Sequence, residues 1–251
     1  MPQFDADRDE VVARALEAGL DAIISPGVDL ESSRRAIRLA ERYDQVFATV
    51  GFHPHDAQRF DDNACTELSG LCQHRKVVGI GEIGLDFYRD LSPRAAQIEA
   101  FTRQLDLAAS LGLPVVVHDR EAHGETLHCV KLWVDRTTGY VDRPRGVMHC
   151  FSGDLALADQ YVEMGFLVSI AGPITYPKSD RLALVAGDLG LHHLLIETDA
   201  PYLSQVPFRG KRNEPGRVRL VAEAVAARRG ISPRDLAEAT RQNARRLFRL
   251  P

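Results

Sequence analysis

Seven short runs rich in apolar and β-branched residues, each followed by an amphipathic stretch, set the strongest limit on what this chain can fold into. They are DAIISPG (21–27), VFATVGFHP (46–54), VVGIGEIG (77–84), LPVVVHD (113–119), RGVMHCF (145–151), FLVSIAG (166–172) and LLIETDA (194–200). Near-continuous apolar runs suit strands covered on both faces, as in parallel sheets. Alternation of such runs with helix-like stretches, about 30 residues per unit, is the pattern of an α/β fold built from βαβ units. Helix starts are marked by Asp29 before LESSRRAIRLAERY and by Ser92-Pro93 before RAAQIEAFTRQLDLAASLG. A first helix, DRDEVVARALEAG (7–19), carries Val11, Val12, Ala15 and Leu16 at helical spacing and stops at Gly19. An eight-stranded closed barrel begins with a strand, whereas this chain begins with a helix. Two expectations therefore stand: an open sheet of another kind, or a barrel whose first strand is missing.

Composition narrows the class. The chain has 251 residues, 45% hydrophobic and 26% charged, which suffices to bury a core without disulfides or structural metals. A formal net charge of −4 gives no global attraction to nucleic acid or to a membrane, so any anionic partner must be held locally. Cys65, Cys72, Cys129 and Cys150 form no CxxC pair, and reduced thiols in a cytoplasmic protein are expected. The first residues, MPQFDADRDE, lack the apolar segment of a signal peptide, and no stretch has the length and hydropathy of a membrane span.

The ends of the runs carry the chemistry. His53 and His55, Glu82, His118, His149 and Asp199 all fall at the C-terminal end of their runs, where ligand sites of parallel α/β folds lie. Ionised carboxylates there are costly unless a cation meets them. Imidazole with carboxylate is the ligand set for a divalent metal such as Mg, Mn or Zn. Glu82, flanked by glycines in GEIGLDFY, could bridge two cations, which in two-metal sites sit ~3.5–4 Å apart. Asp199 could bind one of them and accept a proton from an activated water. Glu197 supports the ligands or is simply structural. His74, His123, His128, His192 and His193 are given no role.

At these residues the sequence resembles the TatD family of metal-dependent deoxyribonucleases, among the amidohydrolase-like metal barrels. The matching segments are GFHPHD (51–56), GEIGLDFYRD (81–90), VVVHDREAHGETL (115–127), HCFSG (149–153), ETDAPYL (197–203), RGKRNEP (209–215) and NARRLF (243–248). The resemblance implies a TIM-like (β/α) barrel in a single domain over 1–251, with the first of its eight strands absent. The family opens with a strand bearing a His-x-His pair, and nothing before residue 53 matches it. The expectation is a start assigned at an internal methionine or a truncation. The resemblance further implies Glu82 as bridging ligand, His118 and His149 as ligands of one metal, and Asp199 as ligand of the other and general base. A complete site would take two divalent cations, with one alone as the alternative in this chain.

The implied activity is cleavage of DNA phosphodiester bonds, often exonucleolytic, with DNA or another nucleic acid as substrate and no membrane or protein partner. For substrate contact the candidates are His53, Arg120 beside His118, and Arg209 and Lys211 of FRGKRNEPGRVR; Arg217 and Arg219 are expected to be solvated. No aromatic–basic groove for tracking a single strand is visible in the sequence. Two other readings compete: a metallohydrolase acting on another ester, such as that of aminoacyl-tRNA, and a catalytically impaired barrel lacking its first strand.

Overall fold

The computed structural model describes residues 1–137, 140 and 143–251. In chain order the elements are α1 (Arg8–Glu17), β1 (Ile23–Pro26), α2 (Leu30–Arg42), β2 (Val46–Val50), α3 (Asp62–Leu71), β3 (Val77–Asp86), α4 (Arg94–Leu111), β4 (Val115–Arg120), α5 (His123–Arg136), β5 (Gly146–Met148), α6 (Leu155–Glu163), β6 (Phe166–Ile170), α7 (Asp180–Asp188), β7 (Leu194–Ile196), α8 (Val218–Arg229) and α9 (Pro233–Phe248). The seven strands form one sheet in chain order, and every described pairing is parallel. This is the α/β architecture expected from the alternating pattern, with each of the seven expected strands present.

The strands are shorter than the apolar runs at most ends. β2 stops at Val50, so His53 and His55 do not lie on a strand: they open a 3-10 turn over Pro54–Arg59. Pro54, which has no N–H to donate to a ladder, is the first residue of that turn. β3 is the exception and continues to Asp86, two residues past its expected end.

The helix signals act as their chemistry dictates. The Asp29 carboxylate accepts the Ser32 amide at 2.7 Å and starts α2. Pro93, rather than Ser92, occupies the cap position of α4; the Ser92 hydroxyl instead donates to the His55 carbonyl at 2.8 Å.

The chain packs as two compact units. One comprises Ala22–His149, Glu163–Phe166 and Arg246–Pro251, and holds β1–β5 with α2–α5. Its core places Ile80, Ile83 and Leu85 of β3 and Val115 and Val117 of β4 at full burial, with Phe101 and Leu105 of α4 and Trp133 of α5. The Trp133 ring meets Tyr140 and Phe166 edge-on, with centroids 5.7 and 6.2 Å away. Each such fully buried side chain contributes roughly 1.5–3 kcal/mol relative to leaving it exposed. The other unit comprises Met1–Asp21, Cys150–Val162 and Leu167–Arg245. Its core gathers Leu167, Val168 and Ile170 of β6, Leu194 of β7, Val185 of α7, Val221 and Val225 of α8 and Leu236 of α9. All four cysteines are free thiols. No helix of the described residues is long and apolar enough to cross a membrane.

Candidate metal centre

Within the first unit the ends of β3 and β4 and the turn after β2 bring four expected site residues together. Glu82, Gly84 and Asp86 alternate along β3 and so share one face, and the register sets Gly84 beside His118 and Asp86 beside Arg120. Gly84 has φ +142°, and a Cβ there would overlap the His118 carbonyl oxygen, so the close strand approach requires glycine. The Glu82 amide donates to the Gly27 carbonyl at 3.0 Å, and the His53 amide to the Val28 carbonyl at 2.9 Å. The loop after β1 thereby fixes both residues. The His149 amide is held by the Val117 carbonyl at 2.9 Å.

The Glu82 carboxylate is the hub. Its Oε1 lies 2.7 Å from His118 Nδ1, 3.5 Å from His53 Nε2 and 3.7 Å from His149 Nε2, with the side chain 12% exposed. His118 Nε2 stands 3.4 Å from Oδ2 of the buried Asp86, and His55 Nε2 lies 2.8 Å from the same oxygen. Asp86 also accepts the Tyr88 and Arg89 amides through Oδ1, at 3.0 and 2.8 Å.

The electrostatics follow from this packing. Burial opposes the charge on Glu82, but His149, His118 and His53 outweigh it and hold the carboxyl well below the usual range. Asp86 is likewise lowered against its burial, by His118, the Arg89 amide and His55. Burial also works against a charged His118, yet Asp86 and Glu82 prevail and push it up to about 9. At His53 burial wins over Glu82 and lowers the pKa, favouring the neutral ring.

The donor set fits a divalent cation. His53, Glu82 and His118 each offer a ligand atom, and these atoms all lie within 4.8 Å of one another. Two imidazoles and a carboxylate suit Mn, Zn or a related divalent ion. His53 stands in this cluster, where the sequence had suggested a residue for substrate contact. Asp86 went unassigned in the sequence, although its place four residues after Glu82 on one strand puts it on the same face.

In the second unit, Asp199 lies three residues past β7 at φ +57°. Its carbonyl accepts the Tyr202 amide at 2.8 Å, and the buried Asn213 ties down the same turn by donating to the Thr198 and Tyr202 carbonyls at 2.8 and 2.7 Å. Asn213 is thus the physical link between ETDAPYL and RGKRNEP. Glu197 braces the backbone, accepting the Cys150 amide and the Ser169 hydroxyl, each at 2.7 Å.

A cavity of about 480 Å³ opens beside this turn, lined by Tyr176, Tyr202, Arg209, Lys211 and Arg212 among others. Arg209 sits over the Tyr176 ring at 4.2 Å. Arg212 is taken up by Asp7, with contacts of 2.7 and 2.6 Å, and by Glu214. Arg217, expected to be solvated, is engaged: it donates to the Arg212 carbonyl at 2.7 Å and lies over the Phe208 ring.

Fold and site together define a metal-dependent hydrolase on a parallel α/β framework. The family model described as TatD-related DNase matches residues 1–249, and the chain belongs to that family. It is 41% identical over 251 residues to the protein named 3′-5′ ssDNA/RNA exonuclease TatD of Cronobacter turicensis, covering 98% of this chain and 93% of that one. It is 37% identical over 248 residues to the protein named uncharacterized metal-dependent hydrolase YabD of Bacillus subtilis, covering 99% and 95%. Among solved structures, YJJV, a TatD homolog from Escherichia coli K12, superposes with a TM-score of 0.91 at 33% identity, covering all of this chain and 95% of that one.

Proposed function

We propose that this chain is a divalent-metal-dependent hydrolase that cleaves phosphodiester bonds of single-stranded DNA from the 3′ end, with RNA as a second substrate, in the cytoplasm. The observation that carries the reading is the His53–Glu82–His118 cluster, two imidazoles gathered at one carboxylate. Relatives across nearly the full length are named metal-dependent hydrolase and 3′-5′ ssDNA/RNA exonuclease, which supports the substrate class. Glu82, His118 and His149 hold the cation, with His53 beside them, and Mg, Mn and Zn are the candidate ions. A divalent cation bound there supplies Lewis-acid polarisation of a phosphoryl oxygen and lowers the pKa of water to around 7 in favourable sites. Asp199 serves as a further metal ligand and holds the proton released from the attacking water. Arg120, Arg209 and Lys211 orient the nucleic acid through its phosphates, with guanidinium forks matched to two oxygens at once.

The test strips the protein with EDTA, reloads it with Mg, Mn or Zn, and follows a single strand labelled at its 5′ end on a denaturing gel, beside a charged tRNA. The expected result is stepwise shortening from the 3′ end with at least one metal. Glu82→Gln and Asp199→Ala each lower the rate by about 100-fold or more, the scale of losing a group that acts in the transition state. Full activity in both variants, or hydrolysis of the aminoacyl ester with DNA left intact, overturns the reading.

A further inference from the structure

Beside the metal cluster, the ends of β3 and β4 carry an aromatic ring with a guanidinium on it. Tyr88 is 62% exposed, and the Arg120 guanidinium carbon lies 4.1 Å from its ring centroid. One residue earlier, Arg94 covers Phe87 at 4.3 Å, and Leu91 nearby is 63% exposed. Scattered exposed tyrosines are ordinary on soluble proteins. This one is held in place at both ends by the strands that carry the cluster. The Tyr88 amide bonds to Asp86 Oδ1, and the Phe87 amide donates to the Arg120 carbonyl at 2.9 Å. Asp86 and Arg120 are register partners, and Arg120 follows His118 by two residues on the same strand, so both project from one face. Among the described residues Arg120 has no carboxylate within ion-pair distance, which leaves its N–H groups available to an anion while the guanidinium sits over the ring.

Stacked rings beside cations are how proteins hold single-stranded nucleic acid without reading its sequence, because every base has a π-face. From this geometry we propose that Tyr88, backed by Arg120, is a stacking platform for one nucleobase of a single strand, with the Arg120 edge taking an adjoining phosphate. The platform rests on the nuclease reading and deepens it: it selects strands whose bases are unpaired, since the faces of bases within a duplex are already stacked on neighbours. Tyr88 is a positioning residue and takes no part in the bond cleavage.

The test compares two fluorescein-labelled ten-nucleotide strands with phosphorothioate backbones, one of thymidylate and one abasic, bound to metal-loaded protein and read by anisotropy. The measured quantity is the ratio of the abasic Kd to the thymidylate Kd. In the wild type this ratio is expected to be about tenfold or more, from the size of one base–aromatic stack. Tyr88→Ala brings it near one, and Tyr88→Phe, which keeps the ring, preserves it. Arg120→Ala weakens both strands. The platform is overturned if the wild type shows no preference, or if Tyr88→Ala leaves the ratio unchanged. Cleavage of natural strands on the same preparations separates the two readings. A protein that cleaves single strands with a ratio indifferent to Tyr88 keeps its nuclease function and loses the platform. A ratio that depends on Tyr88 in a protein that cleaves no nucleic acid with any metal keeps the platform and refutes the nuclease.

Discussion

His118 Nδ1 lies 2.7 Å from Glu82 Oε1, and the opposite side of the same ring faces Asp86. A protonated His118 therefore acts as the counter-cation of two buried carboxylates when no metal is bound. The strand ends keep their negative groups where an imidazolium or a metal ion meets them.

The first prediction concerns the pH dependence of stability without metal. His118 is raised from 6.5 to about 9 by Asp86 and Glu82 against its burial. Its contribution is thus fully present below about pH 6.5 and is lost as pH rises through 9. His53, lowered by burial, acts with the opposite sign, but its contribution is complete by about 6.5 and leaves the window above to His118. Thermal melts of EDTA-treated protein from pH 6.5 to 9.5 should show a steadily falling Tm, and His118→Gln should flatten the slope. A Tm that stays level across this window in the wild type refutes the coupling.

Metal binding must remove that proton. An imidazole donates its lone pair only when the nitrogen is deprotonated, so affinity should climb with pH until about 9, by up to about tenfold per pH unit for the one proton displaced. Calorimetric titration with Zn or Mn at pH 7, in buffers of different ionisation enthalpy, should report release of close to one proton, that of His118. The same ion should raise the Tm of the stripped protein, because it binds the folded state. Zero proton release would refute the pairing of a protonated His118 in the free protein with a ligating His118 in the loaded one.

Asp86→Asn tests the support behind the ligands. Asp86 faces His118 and His55 through one oxygen and accepts two backbone amides through the other. Asparagine retains a carbonyl for the amides and loses the charge facing the rings. Partners of this kind orient metal ligands, and their loss costs ~10–100-fold in affinity or activity. The expected outcome is a drop of that size in metal affinity, with His118 titrating closer to 6.5 by NMR. An unchanged histidine resonance would place Asp86 outside the network.

The sequence reveals strands and caps well because their causes are local. A run such as VFATV, buried throughout in β2, is apolar whatever surrounds it, and Asp29 caps α2 through a residue only three positions away. Glu82, His118 and His149 stand out as polar residues at the ends of apolar runs, and the fold brings the two rings to one carboxylate. What stays hidden depends on register and on residues far apart in the chain. The Tyr88–Arg120 stack joins residues on different strands, and neither FYRD nor HDRE indicates that a ring and a guanidinium meet. Asn213 reads as one polar residue in a basic loop, and its clamp on Thr198 and Tyr202 exists only once that loop has folded back. The place of His53 in the cluster depends on the loop after β1, whose Val28 carbonyl accepts its amide.

The last prediction separates two reasons for a glycine. Gly84 and Gly230 both have positive φ, +142° and +65°, which an L-residue adopts only with strain. A Cβ on Gly230 would meet nothing within 4 Å, whereas on Gly84 it would overlap the His118 carbonyl across the β3–β4 ladder. Gly230→Ala should therefore cost only the backbone term, about 1 kcal/mol. Gly84→Ala adds a steric conflict that only a shift of β4 relieves, for a total of about 3 kcal/mol or more. Because β4 carries His118, that shift should also weaken metal binding, an effect Gly230→Ala has no route to produce. Urea denaturation of both variants gives the two energies, and metal titration gives the second effect. Equal costs for the two substitutions would show that β3 and β4 have room to spare at Gly84, and that the cluster does not depend on their close approach there.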